Sequence, residues 1–477
     1  MSNRTPAFTA ERLLQILQSF PVANAYIVGF SGGADSTALL HALNVVKDQL
    51  GVPISAVHVN HGLHDDADLW QQQCEVFCRK YAIRLLSLKI DLENRSGYGL
   101  EAEARHLRYE AISALLTPGS SLLTAHHADD QAETLLLNLM RGSGVDGLSA
   151  MPESRPLGNG LLQRPMLEFQ NSAIQDYLRK YDIEWTEDPS NQCLNHDRNF
   201  VRHEVVPLLE KRWPEISKRL LLTRKAMTGA RRLLEKLSDE YIGQNLAHPF
   251  VLKITSHLID DPELFKLVIR RWIKQSDRPT VPAYRLEAFY KQVKQAGHNP
   301  KIVVNWAGLS LHLYKQKLWL VPEAGVSPCP AIEWPVEQNE IDLGKDIGQL
   351  VLEDQNKTGR QSRNQPGPML TITPGNEFAV LGRVSLEESL IDLGAHHKSL
   401  KKLFQAADIP PWLRDCIPLC RLGGELVAMG DWCFSAHFES WMSDNNLRMN
   451  WRPNHPLLQY IRRHQHAPTV DPAGAVR

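Results

Sequence analysis

Residues 25–140 alternate between short apolar runs and segments of helical periodicity, and this alternation constrains the fold more than any other feature of the 477-residue chain. Apolar runs of strand length lie at residues 25–30, 54–60, 83–90 and 121–127, and each precedes a predicted helix. Continuous apolar runs are typical of parallel strands that are buried on both faces. We therefore predict an N-terminal α/β domain with a doubly wound parallel sheet, whose ligands should lie at the carboxyl ends of its strands.

The remainder of the chain indicates two further domains, because a single core rarely grows beyond about 250–300 residues. The pattern is helical and basic from about residue 200 to 275, and short alternating runs after that predict strands. We place the catalytic α/β domain at residues 1–215 and a helical, basic middle domain at residues 216–330. Residues 331–477 are predicted to form a smaller α+β C-terminal domain.

Composition argues against secreted, membrane and fibrous proteins. Seven scattered cysteines do not form a disulfide framework, and no apolar window reaches the roughly 18 residues that a membrane span requires. We therefore expect a cytoplasmic protein without a membrane partner. The formal net charge of −1 conceals an asymmetry, since residues 202–236 carry ten basic and four acidic residues. Such a segment can bind a polyanion such as nucleic acid, although a solvated helix face would give the same pattern.

The first group of candidate functional residues is a loop between the first apolar strand and its helix: Ser31, Gly32, Gly33, Ala34, Asp35 and Ser36. Two glycines allow backbone amides to turn toward an anion, and the helix N-terminus adds its dipole. A carboxylate in such a loop is unfavourable unless it faces a cation, so Asp35 favours a nucleotide bound with Mg²⁺. The alternative is an ordinary strand-to-helix turn with a Ser/Asp cap.

Two further groups follow the fourth strand and precede the basic segment. In HHADDQAET (residues 126–134), Asp130 and Glu133 are one helical turn apart and can hold a metal or orient an amine. The alternative is the ordinary preference of acidic residues for helix N-termini. In the segment DPSN…RNFVR, Arg198 and Arg202 suit bidentate phosphate contacts, although they can also be exposed arginines at a capped helix start.

Together these motifs resemble those of the tRNA(Ile)-lysidine synthetase family, within the PP-loop ATP pyrophosphatase superfamily. The loop alone resembles the superfamily, whose members cleave ATP between its α- and β-phosphates, and the other two groups make the resemblance specific to the family. The matching segments span about residues 25–435: VGFSGGADS, AVHVNHGL, EARHLRY, HHADDQAET, RGSGVDGL, DPSN…RNFVR and SLKKLFQAADIPPWLRDCIPL.

The resemblance implies a ligase that uses ATP and Mg²⁺ to attach L-lysine to the 2-carbon of the wobble cytidine in the CAU-anticodon isoleucine tRNA. The 2-oxygen of the base would attack the α-phosphate, and the lysine ε-amine would then displace AMP. The product, lysidine, would change the codon from AUG to AUA and the amino acid from methionine to isoleucine. We expect a monomer or a homodimer.

Roles follow for the residues that match the motifs. The residue 31–36 loop would hold the phosphates, and Asp35 with Asp130 would bind Mg²⁺. Arg105 and Arg108, in the helix carrying EARHLRY, would reach phosphate or the transition state. Glu133 would orient the lysine amine or take its proton.

Other positions would bind the remaining parts of the substrates. His58 and Asn60 would line the adenine pocket, mostly through backbone atoms, and Arg198 and Arg202 would fix substrate phosphates or the base. The C-terminal domain would supply tRNA affinity through an exposed tryptophan and lysines that, on a helix, would share one basic face: Trp412, Lys398, Lys401 and Lys402.

Alternative functions remain open at this level. A small-molecule amide synthetase would usually carry a glutaminase domain, and a thiolating PP-loop enzyme would usually carry CxxC pairs; neither feature occurs here. A nucleotide-sensing module would not need the carboxylates and arginines together. The pairs Cys74/Cys78 and Cys416/Cys420 have helical spacing, which favours buried cysteines over a zinc site.

Overall fold

The structure is a computed structural model that describes most of the chain. The described residues are 7–60, 62, 66–90, 100–187, 194–295, 302–335, 338–355, 378–381, 390–394 and 397–464, without the side chains of residues 100–104, 378 and 381. The chain divides into two compact units, Met1–Leu234 and Glu235–Arg477. Each unit has hydrophobic cores of its own.

The first unit is built on a six-stranded sheet. Its strands are β1 (Ala25–Gly29), β2 (Ile54–Asn60), β3 (Arg84–Lys89), β4 (Ser120–Leu123), β5 (Ser154–Leu157) and β6 (Gly160–Gln163). Their order is β3-β2-β1-β4-β6-β5, and every neighbouring pair is parallel except the β5–β6 hairpin. The chain reverses its direction of travel across the sheet between β1 and β4, which is the place where doubly wound sheets bind ligands.

Helices connect the strands of this sheet and complete its core. They are α1 (Ala10–Gln18), α2 (Ala34–Val45), α3 (Lys47–Leu50), α4 (Ala67–Lys80), α5 (Leu100–Ser113), α6 (Ala128–Met140), α7 (Val145–Leu148), α8 (Asn171–Lys180), α9 (Asp197–Phe200), a π-helical turn (Val201–Val205), α10 (Val206–Arg212) and α11 (Ile216–Asn245), which continues into the second unit. Helix α2 is buried along most of its length because it lies between the sheet and the helices α1 and α8.

The predicted α/β fold class is confirmed, and β2 has the bounds expected from its apolar run. The β5–β6 hairpin was not predicted, although its Gly158-Asn159-Gly160 turn is a hairpin signal. The hairpin extends the sheet beyond β4, and its two strands run in opposite directions.

The second unit begins with a five-stranded antiparallel sheet in the order β7-β8-β11-β10-β9. Its strands are β7 (Leu246–His248), β8 (Val251–Lys253), β9 (Ile302–Trp306), β10 (Leu309–Tyr314) and β11 (Lys317–Pro322). The helices α12 (Ser256–Asp260), α13 (Pro262–Gln275) and α14 (Ala283–Gln295) belong to the same region. Buried side chains such as Phe265, Trp272, Phe289 and Leu311 form their shared core.

Shorter strands and helices make up the rest of the second unit. The strands are β12 (Ile332–Glu333), β13 (Glu340–Asp342), β14 (Gln349–Asp354), β15 (Phe378–Leu381), β16 (Leu390–Asp392), β17 (His397–Ser399), β18 (Leu419–Leu422), β19 (Glu425–Met429), β20 (Cys433–Phe434) and β21 (Leu447–Arg452). The helices are α15 (Leu400–Ala406), a 3₁₀ helix (Pro411–Cys416), α16 (Ala436–Asp444) and α17 (Pro456–Arg463). One core joins these elements to Val251 and Trp319. The domain boundaries at residues 215 and 330 remain predictions.

We predict that Gly160→Ala destabilises the edge of the sheet of the first unit. A Cβ at this position would lie 2.4 Å from the backbone oxygen of Ser120 in β4, so the strands would have to separate. We expect a loss of about 1–3 kcal/mol, visible as faster hydrogen exchange of β4 and β6 amides. Gly229→Ala is the matched control, because a Cβ there meets open space on a helix and should stabilise it by up to about 1 kcal/mol. Unchanged exchange in Gly160→Ala would contradict the close approach of these strands.

Candidate active site

The loop after β1 is shaped by its two serines and by Gly32. Ser36 Oγ accepts a hydrogen bond from the Ser31 amide at 3.2 Å and donates one to the Gly33 carbonyl at 3.1 Å. Gly32 has a φ of +84°, and a Cβ there would lie 3.1 Å from the Sγ of Cys74. Gly33 caps α2 without a side chain. The first amides of α2 therefore receive no side-chain acceptor from their cap, which is the arrangement that binds anions.

Hydrogen bonds from neighbouring segments hold this loop in place. The amide of Thr186 donates to the Gly32 carbonyl at 2.9 Å, and His58 Nδ1 lies 3.0 Å from the Phe30 carbonyl. Asn60 donates to Asp68 at 2.8 Å. The side chains of His58 and Asn60 are thus occupied by structural contacts, and their predicted place in an adenine pocket, mostly through backbone atoms, stays a prediction.

Three carboxylates surround the buried side chain of His127 at the start of α6. Its Nε2 lies 3.6 Å from Asp35 Oδ2 and 3.6 Å from Asp130 Oδ2, and its Nδ1 lies 3.4 Å from Asp129 Oδ2. Burial alone would lower the pKa of His127, but these negative charges outweigh it and raise the pKa to about 10. The carboxyl ends of β1 and β4 thus meet around an environment that favours positive charge.

Two arginines bridge the two carboxylates that project from α6. Arg198 donates from Nε to Glu133 at 2.8 Å and from Nη2 to Asp130 at 2.8 Å. Arg202 donates from Nε to Glu133 at 2.6 Å and from Nη2 to Asp130 at 3.0 Å. Asp130 and Glu133 are 7% and 2% exposed, and the side chains of Arg198 and Arg202 are 29% and 35% exposed, so these are charge-assisted hydrogen bonds from part-buried arginines to buried carboxylates. We call these four residues the carboxylate–arginine cluster.

Local structure explains why the four side chains meet. Asp130 and Glu133 lie three residues apart on one face of α6, and Arg198 and Arg202 lie four residues apart across α9 and the π-helical turn. Burial would raise the pKa of Asp130, but the charges of His127 and Arg198 lower it to about 2. Asp130 therefore stays ionised.

The site contains more negative than positive charge. Asp130 and Glu133 pair with the two guanidinium groups of the cluster, and Asp35 and Asp129 add two further carboxylates around His127. His127 would be a third positive group when protonated, so a net negative charge remains. The site is therefore suited to a further cation, either a metal ion or an amine.

The structure brings the predicted pair of magnesium ligands together, but Mg²⁺ binding by the pair stays a prediction, because both oxygens of Asp130 already accept hydrogen bonds, from the two arginines of the cluster and from the amide of His127. Asp35 and Asp130 both approach His127 Nε2, and Asp35 has one further hydrogen bond, a 3.4 Å contact from Asn171. No group of three or more His, Cys, Asp or Glu side chains among the described residues is arranged to hold a metal. Two carboxylates suffice for Mg²⁺ when phosphate oxygens supply other ligands.

The predicted arginines Arg105 and Arg108 are three residues apart on α5. Arg108 is exposed, and its charge contributes to lowering the pKa of His58, after the larger effect of burial. Arg105 is exposed, with its guanidinium carbon 5.4 Å from the centre of the Tyr109 ring. The DPSN motif at residues 188–191 lies outside the described residues.

Several contacts of the site were not predicted. His127 and Asp129 lie within the HHADDQAET motif, so their involvement was accessible from its excess of polar residues. The backbone amide of Asn171 donates to Asp129 at 2.8 Å and its side chain donates to Asp35, but Asn171 carries no motif. Thr186, whose amide donates to the Gly32 carbonyl, likewise belongs to none of the motifs.

Predictions for the second unit need two corrections. Lys398 lies in β17, because the extended backbone of Ser399 starts α15 only at Leu400, so the three lysines do not share one helix face. Trp412 was expected in an exposed turn, but its ring is half-buried and stacks on His312 with centroids 4.2 Å apart. Lys401 and Lys402 are exposed on α15, as a role in binding tRNA requires.

The four cysteines of the two CxxxC pairs are buried, as expected for residues that pack in a hydrophobic core. Burial raises the pKa of Cys74 to about 12 and that of Cys78 to about 11, and both thiols face the core from α4. Cys416 and Cys420 are also buried, but they lie in a 3₁₀ helix and in β18 and not on an α-helix. These thiols are therefore protonated at neutral pH.

The sheet order, the open loop after β1 and the carboxylates beyond it define the class of this protein as a PP-loop enzyme that uses ATP. The PP-loop domain model matches residues 7–209. Two further family models match later segments: the TilS substrate binding domain at residues 261–319 and the TilS substrate C-terminal domain at residues 384–451.

Full-length relatives share most of the chain. The tRNA(Ile)-lysidine synthase of Alkalilimnicola ehrlichii is 34% identical over 90% of this chain and 94% of its own. That of Methylococcus capsulatus is 33% identical over 90% and 97%, and that of Coxiella burnetii is 32% identical over 91% and 94%. The chain belongs to the tRNA(Ile)-lysidine synthase family and is a ligase. Among its described helices, none has the length and apolar character that crossing a membrane requires.

We predict that Gly32→Ala weakens ATP binding about tenfold or more without unfolding the first unit. The substitution strains a backbone at φ +84° and brings a Cβ within 3.1 Å of Cys74, which displaces the loop amides. Calorimetric titration with ATP measures the effect. Gly51→Ala is the control, since Gly51 has a φ of +66° and open space around it, outside the site. Equal ATP affinity in the wild type and in Gly32→Ala would contradict a role for this loop in binding phosphate.

Proposed function

We propose that this enzyme attaches L-lysine to the 2-carbon of the wobble cytidine in the CAU-anticodon isoleucine tRNA, at the expense of ATP. The product would be lysidine, with AMP and pyrophosphate released, and the tRNA would change from reading AUG as methionine to reading AUA as isoleucine. The observation that carries this proposal is the group of four carboxylates at the β1–β4 junction, directly beside the loop that follows β1. Family membership supports the choice of substrates.

In the first step, the 2-oxygen of cytidine attacks the α-phosphorus of ATP. The new bond joins the base oxygen to phosphorus, and the bond from phosphorus to the bridging oxygen of pyrophosphate breaks. The loop at residues 31–36 would hold the departing phosphates with its backbone amides. Arg108 would add positive charge near them. Asp35 and Asp130 would hold Mg²⁺, which supplies charge neutralisation to the phosphates when bound.

In the second step, the lysine ε-nitrogen attacks the 2-carbon and AMP leaves with the former base oxygen. The amine must lose a proton, which passes to the surrounding water, before or during the attack. Glu133 would attract and orient the amine, because it is a buried carboxylate in a site with excess negative charge. Both of its oxygens already accept hydrogen bonds from arginines. This favours orientation of the amine over proton transfer as the main role of Glu133.

The tRNA would also contact basic residues outside the pocket. Ten of the residues between 202 and 236 are Lys or Arg, and many lie on α10 and α11. Lys401 and Lys402 offer exposed charges on the second unit. Contacts of this kind supply most of the affinity of proteins for nucleic acids and weaken as salt increases.

The direct test is incubation of the full-length protein with ATP, radiolabelled lysine and transcripts of different tRNAs. We expect label in the CAU-anticodon isoleucine transcript and none in the methionine transcript that carries the same anticodon. Label in RNA should require ATP, and one AMP should form for each lysine transferred. Release of AMP without labelled RNA, or labelling of every transcript, would contradict the proposed function.

We predict that Glu133→Gln slows transfer of lysine more than formation of the adenylated RNA. The substitution keeps the shape and one oxygen acceptor but removes the negative charge that would attract the amine, so a loss of about a hundredfold is expected in the second step. Quenched-flow analysis should detect adenylated RNA accumulating. Glu168→Gln is the control, because Glu168 forms an exposed pair with Arg12 on the surface. Equal loss of both steps would place Glu133 with the metal ligands or the structural framework instead.

A further inference from the structure

A second group of arginines lies beyond β4, and no step described above uses it as a group. Arg105 projects from α5, Arg155 lies in β5, and Arg164 directly follows β6. The guanidinium carbons of Arg105 and Arg155 lie 5.4 and 5.3 Å from the centre of the Tyr109 ring. Arg164 also lies beside Tyr109, whose hydroxyl oxygen can accept a hydrogen bond from the guanidinium. We call Arg105, Arg155 and Arg164 the arginine triad.

Arg164 is buried without a counter-charge. The residue is 4% exposed. Its Nη1 donates a hydrogen bond to the Pro152 carbonyl at 2.8 Å, and its Nε has no hydrogen-bond partner among the described residues. The ion pairs found among the described side chains include no carboxylate partner for any member of the triad. Burial, together with the charges of Arg155 and Arg105, lowers the pKa of Arg164. A buried, unpaired guanidinium is unfavourable, so the triad is suited to a bound anion.

The triad lies beside the carboxylate–arginine cluster, on the side away from the phosphate-binding loop. His126 lies between the triad and the cluster, and its Nδ1 is hydrogen-bonded at 2.9 Å to Thr124 Oγ1, just after β4. Burial lowers the pKa of His126 to about 3. The charge of Asp130 opposes this shift, and the charges of Arg164, Arg198 and Arg105 add to it. In the sheet, β6 is separated from β1 by β4. An anion at the triad would therefore be next to the carboxylate–arginine cluster and separate from phosphates held after β1.

Positive charge continues from the triad toward α11. The Met151 carbonyl accepts a 3.0 Å hydrogen bond from Arg224 Nη2, and the next carbonyl, that of Pro152, binds Arg164. Burial lowers the pKa of Arg224, and the charges of Arg231 and Arg232 lower it further, against the effect of Glu153. A line of cations that leads away from the nucleotide loop suits a polymer with repeated phosphates better than one pyrophosphate.

We propose that Arg155 and Arg164, with Arg105, bind a backbone phosphodiester of the RNA next to the base that is modified. The guanidinium groups would fix one phosphate and so hold the base at the carboxyl edge of the sheet. This inference rests on the proposed function for the identity of the RNA, although its test measures binding and not chemistry. Arg155 and Arg164 are positioning residues in this role.

The test combines arginine variants with RNA in which single phosphates are neutral. Full-length wild type, Arg155→Gln and Arg164→Lys are titrated with a CAU anticodon stem-loop, with and without a methylphosphonate at each phosphate that flanks the target cytidine. At one position, the neutral phosphate should weaken wild-type binding about tenfold and reduce the salt slope by about 0.7. Arg155→Gln should show the same loss with normal RNA and little further loss with that neutral RNA.

Two controls distinguish a phosphodiester site from a general effect of surface charge and from a nucleotide site. Arg179→Gln removes an arginine from the exposed pair with Asp176 on α8 and should bind RNA like the wild type. ATP affinity, measured without RNA, should be unchanged in Arg155→Gln. Weaker ATP binding with normal RNA binding would assign the triad to the nucleotide and overturn the proposal. Additive losses from the variant and the neutral phosphate, or no loss from either variant, would also overturn it. If the wild type transfers no lysine but the coupled loss appears, the proposed function fails and the phosphate site stands.

Discussion

The paired hydrogen bonds between Arg198, Arg202, Asp130 and Glu133 are the interaction on which the site depends. They bring the start of α6, fixed at the end of β4, together with α9 and the π-helical turn, which follow much later in the chain. Loss of one partner leaves a charge without compensation, at a cost below the about 3–5 kcal/mol of a fully buried pair, because both arginines are partly exposed. The same pairing keeps Asp130 ionised beside the loop after β1. The same hydrogen bonds therefore hold α9 against α6 and keep the carboxylate of Asp130 ionised.

The chemistry that we propose uses the negative charge that the two arginines do not neutralise. Two arginines neutralise part of the negative charge, while Asp35 and Asp129 add more around His127. A site of this kind can accept a further cation, either an ammonium group or a metal ion that accompanies phosphates. The amides at the start of α2 offer the complementary anion site a few residues away. Opposite charges thus lie on adjacent loops of one sheet edge, which suits a reaction that joins an amine to an activated oxygen-bearing carbon.

Sequence patterns predicted the sheet and the first contacts of the site because both depend on local periodicity. The apolar runs mark β1 to β4, and the three-residue spacing of Asp130 and Glu133 places them on one face of α6. The pairing of these carboxylates with Arg198 and Arg202 was not predicted, since it is set by tertiary packing across more than sixty residues. The π-helical turn has no recognisable signal in VRHEV, although such turns often occur at functional sites.

Other differences have similarly local causes. Strands β5 and β6 have only four residues each, too few for a clear alternation, so Arg155 and Arg164 escaped notice despite the Gly-Asn-Gly turn between them. Lys398 fits the helical spacing of Lys401 and Lys402, but β17 pairs with β16 and delays the start of α15. Trp412 looks exposed in a proline-rich turn, yet β10 supplies His312 to stack on it. Spacing alone does not reveal which neighbour a distant strand provides.

The fate of the base oxygen tests the central claim most directly. The 2-oxygen of the wobble cytidine can be replaced by a heavy oxygen isotope in a synthetic anticodon stem-loop, and the products can be analysed by mass spectrometry after one turnover with ATP and lysine. If the base is adenylated and the amine then displaces AMP, the heavy oxygen will be found in AMP and be absent from both pyrophosphate and modified RNA. Heavy oxygen retained in the modified RNA, or AMP that carries only oxygen from water, would contradict this mechanism.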